Sequence, residues 1–155
     1  MSNDSILPVR KRIEVPLAPV AAFDLFTSKM ESWWPFETHS VFLSEKVSFS
    51  FEYRDGGRLV ETGPDGEDTI WGTVLSFDPP NLVRFTWHPG RESETAQEVE
   101  VTFVASEAGT IVSLVHSGWE LLGERAAEAR EGYLTGWDLV FADRFGTAAA
   151  TEVIL

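Results

Sequence analysis

The stretch QEVEVTFVASEAGTIVSLVHS, residues 97–117, alternates apolar and polar residues on both sides of a short turn. Alternation with a period of two is typical of a strand that has one buried face. Ala108–Gly109 supplies the turn, because glycine tolerates the backbone conformations of tight hairpins. The predicted buried face consists of Val99, Val101, Phe103, Val112, Leu114 and His116. The stretch therefore predicts an antiparallel hairpin.

Further strands precede this hairpin, beginning at about Val47, and turn residues separate them. The turns are Asp55–Gly56–Gly57, Pro64–Asp65–Gly66, Asp78–Pro79–Pro80–Asn81 and Pro89–Gly90. Near the N-terminus, residues Val9 to Val15 alternate in the same way and Pro16 ends the pattern. Pro19 then suits the first turn of a helix, where its missing N–H is no loss. We expect that helix to extend to about Met30.

The period becomes helical again from about Arg125 to the end of the chain. One face of this long helix is predicted to carry Leu134, Trp137, Phe141, Phe145 and Ala148. The order of elements predicts an α+β fold, in which a curved antiparallel sheet of about six to seven strands wraps around the long C-terminal helix. Two short helices follow the first strand. We expect a single domain over residues 1–155, with its core at about residues 9–148.

The charge of the chain bounds the classes of partner. It has 155 residues, with 12 Lys and Arg against 25 Asp and Glu, and a formal net charge of −13. A field of this sign repels phosphate backbones and anionic lipid surfaces. We therefore expect no nucleic-acid binding and no membrane binding. Without a secretory signal or a stretch approaching the roughly 20 apolar residues of a membrane span, the chain is expected to be cytoplasmic.

Seven short motifs follow one another along most of the chain. They are Trp33–Trp34–Pro35, Gly56–Gly57, Trp71–Gly72–Thr73–Val74, Asp78–Pro79–Pro80, Phe85–Thr86–Trp87, His116–Ser117–Gly118–Trp119 and Gly136–Trp137. As an ordered set they resemble the START-like (SRPBCC) superfamily and, within it, the domain named after the activator of heat-shock protein 90 ATPase. The resemblance implies a helix-grip fold that holds a hydrophobic small molecule, in a stand-alone bacterial member. The co-chaperone that gave the family its name has an additional N-terminal domain with much of the chaperone contact, so a chaperone interaction is not favoured here.

Three histidines are the candidates for acid–base chemistry. His116 is in phase with Val112 and Leu114, so its side chain is expected on the concave face of the sheet. There it is either a ligand contact, a weak candidate for a general acid or base, or a core histidine bonded to backbone. His39 follows the tryptophan pair, near the expected mouth of the cavity, whereas His88 adjoins Pro89 and is expected in a loop or on the outer face.

Other kinds of catalytic or cofactor site find no support in the residues. The three histidines are far apart in the sequence and no H-E-x-x-H motif occurs, so a metal site is not expected. The chain has no cysteine, which removes thiolate nucleophiles, disulfides and sulfur-ligated zinc. G-x-S-x-G and glycine-rich phosphate loops do not occur either. We expect neither a metal nor a cofactor.

Aromatic residues give the strongest indication of a binding site. Six Trp and eleven Phe accompany only two Tyr, which supplies large contact areas of low polarity. Trp33 and Trp34 are adjacent on a short segment, so we expect one of them at the cavity rim or on the surface. Trp119, after Gly118, is a similar case. The predicted ligand-binding residues are Trp33, Trp34, Phe36, His39, Trp71, Phe85, Trp87, His116, Trp119, Trp137 and Phe141.

Two polar strand residues remain open to alternative interpretations. Glu61 either forms an ordinary cross-strand pair with a basic residue or, together with an inward-facing Arg84, orients a polar ligand.

Three functions remain as hypotheses. The favoured one is a binding protein for a hydrophobic small molecule, with no chemistry evident from the sequence. The alternatives are an acid–base enzyme of the cyclase or hydratase type, with His116 as acid or base and Glu61 or His39 as its partner, and a co-chaperone-like interaction module. A homodimer is compatible with the sequence.

Overall fold

Seven antiparallel strands form one sheet in the computed structural model, which describes residues 7–154. The strands are β1 (Val9–Val15), β2 (Ser48–Phe51), β3 (Arg58–Thr62), β4 (Asp68–Asp78), β5 (Leu82–Trp87), β6 (Gln97–Ala105) and β7 (Thr110–Ser117). Their order across the sheet is β1-β7-β6-β5-β4-β3-β2. The chain therefore adds each strand of β2 to β7 next to its predecessor, and the first strand closes the far edge.

The hairpin predicted for residues 97–117 is confirmed as β6 and β7. Val99 lies opposite His116, and Val101 lies opposite Leu114. Buried and partly exposed residues alternate along both strands, as expected when one face packs on a core. His116 therefore lies on the buried face, in phase with its apolar neighbours.

Irregular pairing around β4 curls the sheet. The register shifts between Leu59 and Val60 where β3 meets β4, and again between Val74 and Ser76 where β4 meets β5. Such bulges bend a strand and increase its twist. A Cβ atom on Gly72 in β4 would lie 1.7 Å from the carbonyl oxygen of Thr86 in β5. Glycine is therefore needed where the backbones of these two neighbouring strands approach each other closely. The predicted curvature thus has a local cause in β4.

Two short helices follow β1, as predicted. The first, α1 (Pro19–Phe26), begins with proline and ends at Phe26 rather than at the expected Met30. The Thr27 hydroxyl donates to the carbonyl oxygen of Phe23 at 2.8 Å, and its backbone leaves the helical conformation. A single 3₁₀ turn, Met30–Ser32, comes next.

A long C-terminal helix lies against the concave face of the sheet. A 3₁₀ segment, Trp119–Arg125, leads into α2 (Ala126–Trp137), a π-helical segment (Asp138–Phe145) and α3 (Gly146–Ile154). The buried side chains of this helix include Trp137, Val140, Phe141, Phe145 and Ala149. Leu134, which the helical period placed in the same stripe, is 37% exposed.

The π-helical segment explains the difference in the buried stripe. Trp137, Phe141, Phe145 and Ala149 recur every four residues, and a spacing of four drifts around an α-helix of 3.6 residues per turn. The wider turn of a π-helix keeps such a series in line with the sheet. No helix within residues 7–154 is long and apolar enough to span a membrane.

Candidate functional site

A cavity of about 520 Å³ lies between the curled sheet, the loop after the 3₁₀ turn and helix α2. Its volume is within the range of small-molecule sites. The loop contributes Trp34, Thr38, His39, Ser40 and Val41; the sheet and the turn after β5 contribute Trp71, Trp87, Pro89 and Gly90; and the helix contributes Ala129, Gly132, Tyr133, Gly136, Trp137 and Val140. Each side chain of this wall is apolar, a hydroxyl or an imidazole.

Four tryptophans dominate the wall. The ring of Trp34 is in contact with the other three, its centroid lying 5.0 Å from that of Trp71, 5.8 Å from that of Trp87 and 5.9 Å from that of Trp137. Trp87 also contacts Trp71 and Trp137, at 5.5 and 5.6 Å. All four are almost fully buried. Together they form a continuous aromatic surface, which we call the tryptophan wall.

Hydrogen bonds to protein groups hold the four indoles in place. Trp34 donates its ring N–H to the His39 carbonyl oxygen at 2.6 Å, and Trp71 donates to Glu61 Oε1 at 2.9 Å. Trp87 donates to the Tyr133 hydroxyl at 3.1 Å, and Trp137 donates to His116 Nδ1 at 3.0 Å. Because each N–H already has an acceptor, the surface left for a ligand is the carbon skeleton of the rings.

Glu61 fixes the loop that covers the cavity. Its side chain is fully buried on β3. Oε1 accepts the backbone N–H of Val41 at 2.9 Å as well as the Trp71 indole, and Oε2 accepts the N–H of Phe42 at 3.1 Å. The cross-strand pair with a basic residue is wrong, because Phe49 and Thr69 lie opposite Glu61. Glu61 does face inward, but Arg84 is hydrogen-bonded to Glu98 at 3.1 Å instead of joining it. Glu61 instead ties the loop and Trp71 together.

His116 lies behind the tryptophan wall, and it is not among the residues that line the cavity. Its imidazole is fully buried and packs on the ring of Trp119, with 4.1 Å between centroids. Burial lowers its pKa from 6.5 to about 3, with a smaller contribution from the charge of Arg91. The ring is therefore neutral at physiological pH. Nδ1 accepts from Trp137, so Nε2 carries the proton, and it has no partner among the described residues.

Neither of the adjacent tryptophans lies on the surface, but one of them, Trp34, lines the cavity. Trp33 is 6% exposed and Trp34 is 7% exposed. Trp33 donates to the carbonyl oxygen of Leu25 at 2.8 Å and packs on Phe26 and Phe145. The chain leaves the 3₁₀ turn at this point and runs between helix and sheet. The ring of Trp33 therefore packs against the helices, and the ring of Trp34 forms part of the cavity wall.

The predicted ligand-binding residues divide into two groups. The structure brings Trp34, His39, Trp71, Trp87 and Trp137 together around the cavity. The others are buried in the core outside the cavity wall: Trp33, Phe36, Phe85, His116, Trp119 and Phe141. Trp119 donates its indole N–H to the carbonyl oxygen of His116 at 3.0 Å, which holds it beneath β7. His88 is in a loop as expected, but it is only 8% exposed.

Four wall residues on α2 were not predicted from the sequence: Ala129, Gly132, Tyr133 and Gly136. Two of the four are glycines. A Cβ atom built on either glycine would have no atom within 4 Å, and neither glycine has a positive φ. Packing and backbone conformation therefore do not require glycine here. Glycine in a helix costs about 0.5–1 kcal/mol relative to alanine. The spacing Gly-x-x-x-Gly on an aromatic helix was the available signal, because it leaves one helix face without side chains.

The polar groups of the wall lie on the loop and on α2. On the loop, Thr38 Oγ1 is hydrogen-bonded to His39 Nδ1 at 2.7 Å. The Ser40 hydroxyl donates to the carbonyl oxygen of Phe36 at 2.6 Å and accepts the N–H of Leu43 at 2.9 Å. On α2, the Tyr133 hydroxyl accepts the Trp87 indole. An imidazole is a common general acid or base, so His39 is the wall residue equipped for proton transfer.

Comparison with known proteins agrees with the fold and the predicted resemblance. Residues 17–148 match the family model of the activator of Hsp90 ATPase homolog 1-like proteins. No curated protein matches the chain. A structure of the anthrahydroquino-γ-pyrone synthase Txn09, complexed with SUM, is 31% identical, with a TM-score of 0.64 and coverage of 92% of this chain and 96% of Txn09.

Two more distant structures share the helix-grip fold. SA2116, a protein of unknown function from Staphylococcus aureus, is 18% identical with a TM-score of 0.68, and 96% of each chain is covered. A Rhodobacter sphaeroides protein is 17% identical with a TM-score of 0.67, covering 99% of this chain and 97% of its own. These two carry information on the fold alone.

Proposed function

This chain belongs to the activator of Hsp90 ATPase homolog 1-like family, and on that premise we propose that it binds an aromatic, hydrophobic small molecule against the tryptophan wall. The observation that carries the proposal is the cavity of about 520 Å³, which α2 leaves open by presenting Gly132 and Gly136 to it. Glycine at these positions has a conformational cost and fills no packing requirement. Close approach of a ligand to the helix backbone would explain why glycine occupies these two positions.

The chemistry of the wall supports a flat aromatic ligand. The fixed indoles offer ring carbon rather than N–H groups, and aromatic rings favour offset or edge-to-face contacts worth about 0.5–1.5 kcal/mol per pair beyond area burial. Glu61 holds the covering loop through two backbone N–H groups. The site is therefore largely preformed, which reduces the ordering cost of binding.

Titration with fluorene, an uncharged hydrocarbon of three fused rings, tests this proposal through the tryptophan emission of the protein. Saturable one-to-one binding is expected for the unmodified chain. The variant Gly132→Leu/Gly136→Leu, whose side chains would enter the cavity, is expected to lose it. Thr135→Leu is the matched control, because it adds the same side chain at an exposed position of the same helix. Fluorene binding that is absent, or equal in the chain and the blocked variant, would refute the proposal.

A second candidate is an acid–base reaction in the same cavity, favoured by the 31% identity to a synthase, Txn09. His39 replaces His116 as the candidate acid or base, because His39 lines the cavity and His116 does not. The imidazole would take a proton from one position of the bound molecule and return it to another, so atoms and electrons balance without a co-reactant. The test is conversion of the precursor that Txn09 uses, followed by mass spectrometry. Turnover that His39→Gln abolishes supports the reaction, and no conversion by stoichiometric protein excludes it for that precursor.

A further inference from the structure

Tyr133 places the one phenol of the cavity wall beside the tryptophan rings. Its own ring packs against the stacked pair of His116 and Trp119, with centroids 4.8 Å from the first and 5.5 Å from the second. It also contacts Trp137 at 6.2 Å. These contacts fix the ring of Tyr133 on α2, where the residue forms part of the cavity wall. The position of this polar group is thus set by packing and not by a ligand.

The hydrogen bond from Trp87 decides what the hydroxyl can do. A phenol offers one O–H donor and accepts at its oxygen. Trp87 Nε1 donates to that oxygen at 3.1 Å, so the acceptor side is engaged. Among residues 7–154, the O–H has no acceptor within hydrogen-bond distance. Because hydrogen bonds in a chain polarise one another, the indole N–H makes this O–H a better donor.

The hydroxyl groups of the covering loop are already paired. Ser40 donates to one backbone group and accepts from another, and Thr38 is bonded to His39. Tyr133 is therefore the hydroxyl of the wall with a proton available for a ligand. A ligand oxygen that accepted it would be held beside the apolar surface of Trp87 and Trp137.

We propose that the Tyr133 hydroxyl donates to a carbonyl oxygen at the edge of the bound ring system, so that this cavity binds aromatic ketones in preference to plain hydrocarbons. This inference rests on the proposed function, since it needs an aromatic molecule in the cavity. It adds the recognition of one oxygen atom by one residue. A hydrocarbon would cover the half-buried hydroxyl without offering it an acceptor, which makes such a preference effective.

Fluorene and 9-fluorenone test the inference as a matched pair, because the ketone differs from the hydrocarbon by one carbonyl group. The unmodified chain is expected to bind fluorenone more tightly than fluorene. Tyr133→Phe is expected to lower the affinity for fluorenone about two- to tenfold, the usual effect of one neutral hydrogen bond. Its effect on the affinity for fluorene should be small. Tyr53→Phe makes the same chemical change at an exposed tyrosine and is expected to change neither.

The infrared band of the fluorenone carbonyl gives a second readout that packing alone does not move. It should shift to lower frequency in the complex and return toward the value in an apolar solvent in Tyr133→Phe. Equal affinity for the two compounds in the unmodified chain overturns the inference and leaves the proposed function standing. So does an equal weakening of both compounds by Tyr133→Phe. Failure of the unmodified chain to bind either compound overturns both.

Discussion

Filling the empty face of α2 should stabilise the protein and reduce its capacity for ligand. Gly132→Ala/Gly136→Ala adds two methyl groups that meet no atom within 4 Å. Each glycine-to-alanine change within a helix contributes about 0.5–1 kcal/mol, so the pair contributes about 1–2 kcal/mol. For a chain of this length about 1 kcal/mol raises Tm by roughly 2–4 °C, and the expected rise is about 2–8 °C.

The assay combines thermal unfolding with the fluorene titration. Gly66→Ala is the control for stability: it also has open space above its Cβ but has a φ of +85°, so alanine there should lower Tm. In the ligand assay the double alanine variant (the alanine pair) should have a lower affinity for fluorene. The double leucine variant, Gly132→Leu/Gly136→Leu (the leucine pair), should not bind it, while its Tm stays at or above that of the unmodified chain. A fall in Tm for the alanine pair would refute the reasoning that glycine is not needed for packing. Undiminished binding by a folded leucine pair would refute the location of the ligand.

Further predictions concern the groups behind and above the cavity. Burial holds the pKa of His116 at about 3 against 6.5 ordinarily, so its contribution to stability is complete above pH 6.5 and is lost as pH falls toward 3. At pH 5, which is 1.5 units below that ordinary value, the free energy of unfolding should be lower by about 2 kcal/mol. Urea unfolding of His116→Gln should therefore show a smaller loss of stability between pH 7.5 and pH 5 than the unmodified chain shows. The same pH dependence in both proteins would contradict this. Glu61→Gln leaves one of three N–H donors without an acceptor and should cost about 1–3 kcal/mol, with faster hydrogen exchange at the Val41 and Phe42 amides; unchanged protection there would exclude the proposed role. Trp34→Phe should lower the affinity for fluorene several-fold, whereas Trp33→Phe should lower only the free energy of unfolding. The reverse pattern would show that Trp33, and not Trp34, contacts the ligand.

Most of the fold could be predicted from the sequence because apolar and polar residues alternate along strands that have one buried face. The hairpin of residues 97–117, the turns between strands and the phase of His116 all follow from that alternation and are confirmed. The end of α1 was misplaced because the backbone leaves the helical conformation at Thr27, whereas the buried Met30 in the following 3₁₀ turn continues the apolar spacing of the helix. The π-helical segment was missed because the predicted stripe included Leu134 and Ala148, which gave the mixed spacing of three and four that is typical of an α-helix. The buried residue is Ala149, and its spacing of four from Phe145 fits the wider turn.

The candidate site was harder to predict because it depends on which side of the core each aromatic ring enters. Adjacent residues on a strand point to opposite faces, but Trp33 and Trp34 lie at the end of a 3₁₀ turn, where that rule does not apply. Phase placed His116 on the concave face correctly, yet it could not show that Trp137 and Tyr133 lie between the imidazole and the cavity. An empty space is recorded in the sequence only by small residues, here Gly132 and Gly136. Whether the sequence forms a single domain stays a prediction.

A crystal structure of the protein grown with 9-fluorenone tests most directly whether the tryptophan wall is a ligand site. We predict one molecule in the cavity, packed against the rings of Trp34 and Trp137, with its carbonyl oxygen within hydrogen-bond distance of the Tyr133 hydroxyl. A cavity closed by these side chains would contradict the account. So would fluorenone bound only in the groove between α1 and the end of β4, which is lined by Val20, Phe23 and Phe77 among others.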